Sequence, residues 1–144
     1  MHILDEIAIG AVFVLATAFL HILSLVYLYF YMSKTFQKTN GEQYSAVQIV
    51  KILSIVIFFI LMIHTIEAWL WACLYWFLGE FSDFGQALYF SVVTSTTLGY
   101  GDVTLSEQWQ LLGSCEAMGG LILFAVSTAF LIDVVNELFK NPLK

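Results

Sequence analysis

The chain has 144 residues and contains no arginine; its only cations are five lysines. A voltage-sensing segment needs repeated Arg or Lys inside the membrane, and the first two apolar segments hold only Lys51, at one end. A voltage sensor is therefore excluded. Charged residues make up 11% of the chain, compared with about 25% in soluble domains. The net charge is −6, and we expect no nucleic-acid partner.

Proline, linker sequences and cysteine are also scarce in this chain. Pro142 is the one proline, and no Ser/Gly-rich or low-complexity tract divides the chain. We therefore expect no soluble regulatory domain within it. Cys73 and Cys115 both lie in apolar segments, where free cysteine usually behaves as a small buried hydrophobe. We expect neither to form a disulfide or to bind a metal.

Long apolar runs dominate what is present: the hydrophobic content is 60% and the mean hydropathy is +0.88. Residues 8–32, 46–78 and 108–139 are each long enough to span a membrane as a helix. The first run lacks a cationic start and is too long for a signal peptide, so we interpret it as a retained helix. The sequence predicts an all-α membrane protein with three transmembrane helices.

A fourth apolar segment, residues 84–94, is too short to span and is typical of a re-entrant helix. Asp83 can cap its N-terminus, with Gln86 in the position of a capping box. The C-terminal end of a helix carries roughly half a negative charge from aligned peptide dipoles, which favours cations. This end leads directly into the polar and glycine-rich stretch 96–102.

That stretch reads Thr96-Thr97-Leu98-Gly99-Tyr100-Gly101-Asp102. Because glycine reaches positive φ without steric cost, Gly99 and Gly101 allow successive carbonyl groups to face one way and to line a pore. The Thr97 hydroxyl can add a further ring of oxygens, and Tyr100 can brace the strand from behind. Irregular backbone at membrane depth must be buried in protein or line a water-filled cavity.

Residues 97–101 resemble the signature filter of potassium channels, with Leu98 in place of the commoner valine. The resemblance implies a pore module at residues 46–144, which consists of an outer helix, a pore helix 84–94, a filter 96–102 and an inner helix 108–139. One extra helix and a cytoplasmic loop, at residues 1–45, precede this module. The resemblance also implies a homotetramer in lipid, with K⁺ bound at Thr97, Leu98, Gly99 and Tyr100 as the permeant ion, no other cofactor and no enzymatic activity.

The support of the filter departs from that family. Tyr89 and Phe90 stand where many members have two tryptophans, so we expect Asp102 to bond the Tyr89 hydroxyl instead. Val93 replaces a glutamate that some members bury there. With Thr96, these residues form the predicted filter support.

Three further features belong to the inner helix. Gly119 and Gly120 lie near the hinge position of the family, although membrane glycines also serve close packing. Asp133 is placed to attract cations at the inner mouth. Glu116 faces either the pore helix or the second helix, and we also expect it to belong to an intramembrane polar cluster or pH sensor with His21, His64 and Glu67.

His21, His64 and Glu67 are ionisable residues at similar membrane depth, roughly 20, 22 and 18 Å from the outer ends of their helices. We expect them to join the first helix to the second, since an intramembrane charge needs a partner. Three roles for these residues stay open: a structural clamp, a pH sensor and a haem-binding membrane anchor. The last is considered because two histidines can ligate haem iron.

The lysines predict the orientation. With three spans, Lys34, Lys38, Lys51, Lys140 and Lys144 all fall on one side, which the positive-inside rule makes cytoplasmic. The N-terminus is then outside, and the outer face collects acidic residues that attract cations: Asp5, Glu6, Glu80, Asp83, Asp102 and Glu107. For Asp5 and Glu6 we expect ordinary solvated charges. The functions considered are a potassium-selective channel, a weakly selective cation channel and the haem-binding anchor.

Overall fold

The computed structural model describes residues 3–37 and 44–139, with side chains described at 3–34 and 44–139. The described residues form four helices and no strands: α1 (Ile3–Gln37), α2 (Ala46–Phe77), α3 (Phe84–Ser95) and α4 (Gln110–Phe139). The helices α1, α2 and α4 are long and apolar enough to cross a membrane. The predicted all-α membrane fold is confirmed. Lys38, Lys140 and Lys144 lie outside the described residues.

The first helix is longer than its apolar run of residues 8–32. It has 35 residues, about 52 Å, with Asp5 and Glu6 in its first turn and Lys34 in its last. Acidic residues at an N-terminus and basic residues at a C-terminus complement the helix dipole, so the helix continues past both ends of the apolar run. Its length exceeds a hydrocarbon core of roughly 30 Å, so its ends reach the interfaces.

Local capping defines where α2 and α3 begin. Ser45 accepts a hydrogen bond from the Gln48 backbone N–H, and the Gln48 side chain accepts one from the Ser45 N–H, which is a complete capping box. At α3, Asp83 accepts from the Gln86 N–H at 3.1 Å, as predicted. A turn containing Gly79, whose φ is 78°, reverses the chain between the two helices.

The re-entrant helix α3 packs between α2 and α4. The first helix lies along α4 rather than mainly on α2, which differs from the predicted docking. Small residues make this close approach possible: a Cβ on Gly10 would lie 2.7 Å from Cys115 Sγ, and one on Gly119 would lie 3.2 Å from Val14. Around His21, the helices α1, α2 and α4 meet through polar side chains.

Two apolar cores stabilise the arrangement. The core next to the filter joins α2, α3 and the start of α4 through aromatic residues that include Trp71, Tyr75 and Phe90. The other core brings Met32 of α1, Ile49 of α2 and Leu138 of α4 together. The end of α1, the start of α2 and the end of α4 therefore lie at the same end of the molecule.

Candidate functional site

The backbone of the predicted filter alternates in handedness. Thr97, Gly99 and Gly101 have positive φ values of 60°, 56° and 76°, whereas Leu98 and Tyr100 do not have positive φ. Thr97 is the one non-glycine residue with positive φ among the described residues, and this conformation costs an L-residue roughly 1–2 kcal/mol. Alternation of this kind turns successive carbonyl groups toward one side of the strand.

The start of this strand is fixed to the end of α3. The Thr97 N–H donates to the Thr94 carbonyl at 2.9 Å, and the Gly99 N–H donates to the Val93 carbonyl at 3.1 Å. The Thr96 hydroxyl donates to the Val92 carbonyl at 2.7 Å. Val93 and Thr96 therefore hold the strand through the carbonyl groups at the C-terminal end of the pore helix, a role for Val93 that needs no polar side chain.

Tyr89 anchors the outer end of the strand. Its hydroxyl donates a hydrogen bond of 2.7 Å to Asp102 Oδ2. This is the contact that we expected because the tryptophans of other family members are missing here. The hydrogen bond to this carboxylate raises the pKa of the Tyr89 phenol above its usual value of 10. The phenol therefore stays protonated near neutrality and keeps donating.

Phe90 takes a different place from Tyr89. It is buried and packs edge-on against Tyr75, with ring centroids 5.1 Å apart. It also packs at a tilt against Phe81, with ring centroids 5.5 Å apart. It therefore joins α3 to α2 and to the turn that follows α2. Of the two aromatic positions, only Tyr89 holds the filter strand through a side-chain hydrogen bond.

The filter strand is uncovered in the single chain. Leu98 and Tyr100 are 56% and 67% exposed, and every residue from 96 to 102 is exposed. A cavity of about 400 Å³ opens behind the strand, beside Phe90, Thr97 and Gly113. Because irregular backbone at membrane depth cannot face lipid, the strand needs protein around it that one chain does not supply.

Behind α3, the carboxyl group of Glu116 is completely buried and bonds two helices. Tyr75 of α2 donates to Glu116 Oε2 at 2.6 Å, and Ser91 of α3 contacts Glu116 Oε1. Glu116 thus faces both of the surfaces that the sequence left open. The Ser91 hydroxyl also lies 2.9 Å from the Ala68 carbonyl. Since a hydroxyl has one hydrogen, both Ser91 contacts are hydrogen bonds only when Glu116 is protonated and donates to Ser91.

A second buried polar cluster lies deeper in the helix bundle. His21 Nδ1 is 2.8 Å from Glu67 Oε1, and His64 Nδ1 is 3.1 Å from Glu67 Oε2. The other nitrogen of each ring contacts Ser127 Oγ, at 2.9 Å for His21 and 3.1 Å for His64. His21, His64 and Glu67 do lie together, with Ser127 of α4 as a fourth member. Glu116, which was predicted with them, is bonded to Tyr75 and Ser91 instead. The role of the cluster stays a prediction.

The cluster does not fit a haem site. The two imidazole rings are 5.0 Å apart and tilted by 44°, and all four of their nitrogen atoms already contact Glu67 or Ser127. The neighbouring cavity holds about 20 Å³, which is enough for a water molecule but not for a macrocycle. This cavity is lined by both Glu67 and Glu116, so it separates the two buried clusters.

The glycine pair of α4 lies where two other helices come close to it, and a hinge at this pair stays a prediction. A Cβ on Gly120 would collide with the backbone carbonyl of Ser95, at the end of α3, and one on Gly119 would press on Val14 of α1. The helix α4 continues without interruption through both glycines. Their absent side chains therefore let the pore helix and α1 reach α4. Asp133 is exposed near the other end of α4.

Two acidic residues have structural partners that the sequence did not reveal. Glu6 was expected to be a solvated charge, but it is buried, and Glu6 Oε2 accepts from the Leu111 N–H at 3.3 Å in the first turn of α4. Glu80 accepts from the Ser106 N–H at 2.7 Å and from its hydroxyl at 2.9 Å. The two contacts join residues that are separated by 105 and 26 positions in the sequence, so no local sequence pattern could predict them.

Sequence comparison supplies a family for the greater part of the chain. A family model described as an ion channel matches residues 46–137, which include α2, the re-entrant helix, the filter strand and nearly all of α4. No curated protein and no solved structure was found to match. The matched region leaves α1 outside.

Proposed function

Since the chain belongs to the ion-channel family whose model matches residues 46–137, we propose that it is a potassium-selective channel. In this proposal, dehydrated K⁺ passes in single file between oxygen atoms of Thr97, Leu98, Gly99 and Tyr100, and Gly101 completes the strand. The ions move down their electrochemical gradient, and no enzymatic step is involved. Carbonyl oxygens that replace the hydration shell of the ion provide the selectivity.

The alternating φ of Thr97, Gly99 and Gly101 carries the proposal. A chain in an ordinary turn or strand has its carbonyl groups pointing in different directions, whereas this alternation presents a line of oxygens. The carbonyl end of α3 leads into the same strand, and its partial negative charge favours a cation there. Asp102, bonded to Tyr89, adds a negative charge at the outer end.

A homotetramer completes the proposed pore. One strand cannot enclose an ion, and the chain carries one such strand, which its own helices leave exposed. Four copies around a common axis would cover residues 96–102 and would leave the apolar outer faces of α1 and α2 to lipid. Asp133 would then stand near the inner mouth, where four carboxylates attract cations.

The proposed location is the cell membrane, with the N-terminus outside and the C-terminus in the cytoplasm. The end of α1, the start of α2 and the end of α4 lie at the same end of the molecule. Lys34 and Lys51, which flank the first loop, belong to that end, and the positive-inside rule places it in the cytoplasm.

A matched pair of glycine variants tests the proposed filter. Gly79 and Gly99 both have positive φ, at 78° and 56°, and a Cβ on either meets nothing closer than 4.0 Å. Gly79→Ala and Gly99→Ala therefore introduce the same kind of backbone strain, but only Gly99 lies in the filter strand. In liposomes that contain the purified protein, we expect K⁺ flux to be lost in Gly99→Ala and retained in Gly79→Ala. Equal flux in the two variants would refute the filter assignment.

A further inference from the structure

We propose that His21, His64, Glu67 and Ser127 form one binding site for a single proton, and that this proton holds α1 against α2 and α4. The four side chains make a closed ring, from Glu67 to His21, from His21 to Ser127, from Ser127 to His64 and from His64 back to Glu67. All four contacts measure between 2.8 and 3.1 Å. The ring joins three helices, one of which, α1, lies outside the matched channel module.

The number of protons follows from the donors and acceptors. Ser127 Oγ contacts the two imidazole Nε2 atoms, so its hydrogen goes to one of them. That imidazole must then donate from Nδ1 to Glu67, because a neutral ring has one N–H. The other imidazole must donate to Ser127 from Nε2, and its remaining contact with Glu67 needs one more hydrogen.

This additional hydrogen has two equivalent descriptions. It sits on the second imidazole, which makes an imidazolium beside the Glu67 carboxylate, or it sits on Glu67, which then donates to that imidazole. In both cases the ring has a net charge of zero and all four contacts are hydrogen bonds. Without this proton, the ring carries one negative charge in the membrane interior and two acceptors face each other, both of which are unfavourable.

The same distances argue against a metal ion. His21, His64 and Glu67 offer ligand atoms within 4.8 Å of one another. However, bonds of 2.0–2.2 Å from a tetrahedral Zn²⁺ would separate neighbouring ligand atoms by about 3.3 Å. The observed N–O separations of 2.8 and 3.1 Å are shorter and match hydrogen bonds instead.

Among the described residues, an aromatic ring and a buried carboxyl group lie next to the ring of four side chains. Phe124 of α4 stacks on the His64 ring at 4.1 Å. Across the small cavity, α4 contributes Glu116, which is bonded to Tyr75 and Ser91, and α3 contributes the uncharged Ser95. The ionisable groups that face the ring are thus Glu116 and, through it, Tyr75. The ring proton is lost as pH rises, and we expect α1 to be held less firmly when it is lost.

Two variants separate the proton from the packing. In Glu67→Gln, the amide donates to one imidazole and accepts from the other, so the ring closes without the additional proton at any pH. In Ser127→Ala, the ring is open on the α4 side and the two imidazoles are no longer coupled through Ser127 Oγ. Glu116→Gln is the control for a change in buried carboxyl groups outside the ring, and His2→Gln removes the one other histidine.

Solid-state NMR of ¹⁵N-histidine-labelled protein in bilayers, between pH 5 and 9, measures the protonation of both imidazole rings. We expect both imidazoles to change at one common midpoint, with one proton per chain, in the unaltered ring and in Glu116→Gln. We expect no change with pH in Glu67→Gln and two separate midpoints in Ser127→Ala. Separate midpoints in the intact ring, no change over this range, or one Zn²⁺ bound per chain would each overturn the proposal.

Labelling of Cys115 reports on α1, because Gly10 of α1 packs against the half-buried Cys115 thiol. In a Cys73→Ser background, we expect the rate of alkylation to rise with pH more steeply in the intact ring than in Glu67→Gln. The Glu67→Gln variant measures the ordinary rise of thiol reactivity with pH. Equal slopes would show that the proton does not hold α1. Neither readout requires ion conduction, so both stand apart from the test of the filter.

Discussion

Gly120→Ala tests whether the glycine pair is a packing contact or a hinge. A Cβ at position 120 would meet the Ser95 carbonyl oxygen and, at 3.1 Å, the Ser95 carbonyl carbon and Cα. These are backbone atoms at the end of α3, next to the filter strand. They cannot rotate away as a side chain can, so α3 and α4 must separate to accept the methyl group.

The expected cost follows from two opposing effects. Replacing glycine by alanine inside a helix normally stabilises it by roughly 0.5–1 kcal/mol. Overpacking a close contact typically costs about 1–3 kcal/mol, and a contact with backbone lies at the upper end of that range. We therefore expect Gly120→Ala to destabilise each chain by roughly 2 kcal/mol. At Gly119 the new methyl meets the Val14 side chain at 3.2 Å, which can adjust, so the net effect is close to zero.

Thermal unfolding of the two variants in detergent, together with K⁺ flux in liposomes, measures the difference. We expect Gly120→Ala to lower the unfolding midpoint and to reduce flux through displacement of the Ser95 carbonyl, and Gly119→Ala to change neither strongly. A hinge predicts the opposite pattern for Gly120→Ala, namely altered opening with an unchanged or higher midpoint. That result would refute the packing argument.

Two further variants test the hydrogen bond between Tyr89 and Asp102 and the buried contacts of Ser91. Tyr89→Phe removes the hydrogen bond to Asp102, worth about 1 kcal/mol; we expect a several-fold lower permeability ratio of K⁺ to Na⁺ with little change in stability, and an unchanged ratio would contradict the anchor. Ser91→Ala leaves the Ala68 carbonyl and Glu116 Oε1 without their shared partner, so unfolding should become easier by roughly 1–3 kcal/mol. Ser114→Ala, whose exposed hydroxyl bonds only its own helix, is the matched control and should have no effect.

Much of the fold could be predicted because each decisive signal is local. Apolar length sets the three long helices, Asp83 marks the start of α3, and Gly99 and Gly101 permit the positive φ that the filter strand adopts. The contact from Tyr89 to Asp102 could be anticipated from the resemblance to potassium channels, in which an aspartate at this position often bonds a donor behind the filter. The family match at residues 46–137 confirms an ion channel.

What the sequence could not give depends on how distant segments meet. Burial of Glu6 beside Leu111, and the position of α1 along α4, require the packing of two helices that are far apart in the chain. Ser127 could not be found by depth alone, because about 20 Å along the predicted helix from residue 108 reaches residue 121. Nor could the proton arrangement of the ring be predicted, because it depends on which atoms face each other within about 3 Å.

The reversal potential of liposomes that contain the purified protein, under opposing K⁺ and Na⁺ gradients, distinguishes a potassium-selective filter from a weakly selective pore. A potassium-selective filter at residues 97–101 predicts a value close to the K⁺ equilibrium potential. A value near zero with measurable current would contradict it and would identify a weakly selective cation channel, in which Tyr89 and Val93 fail to keep the filter strand selective.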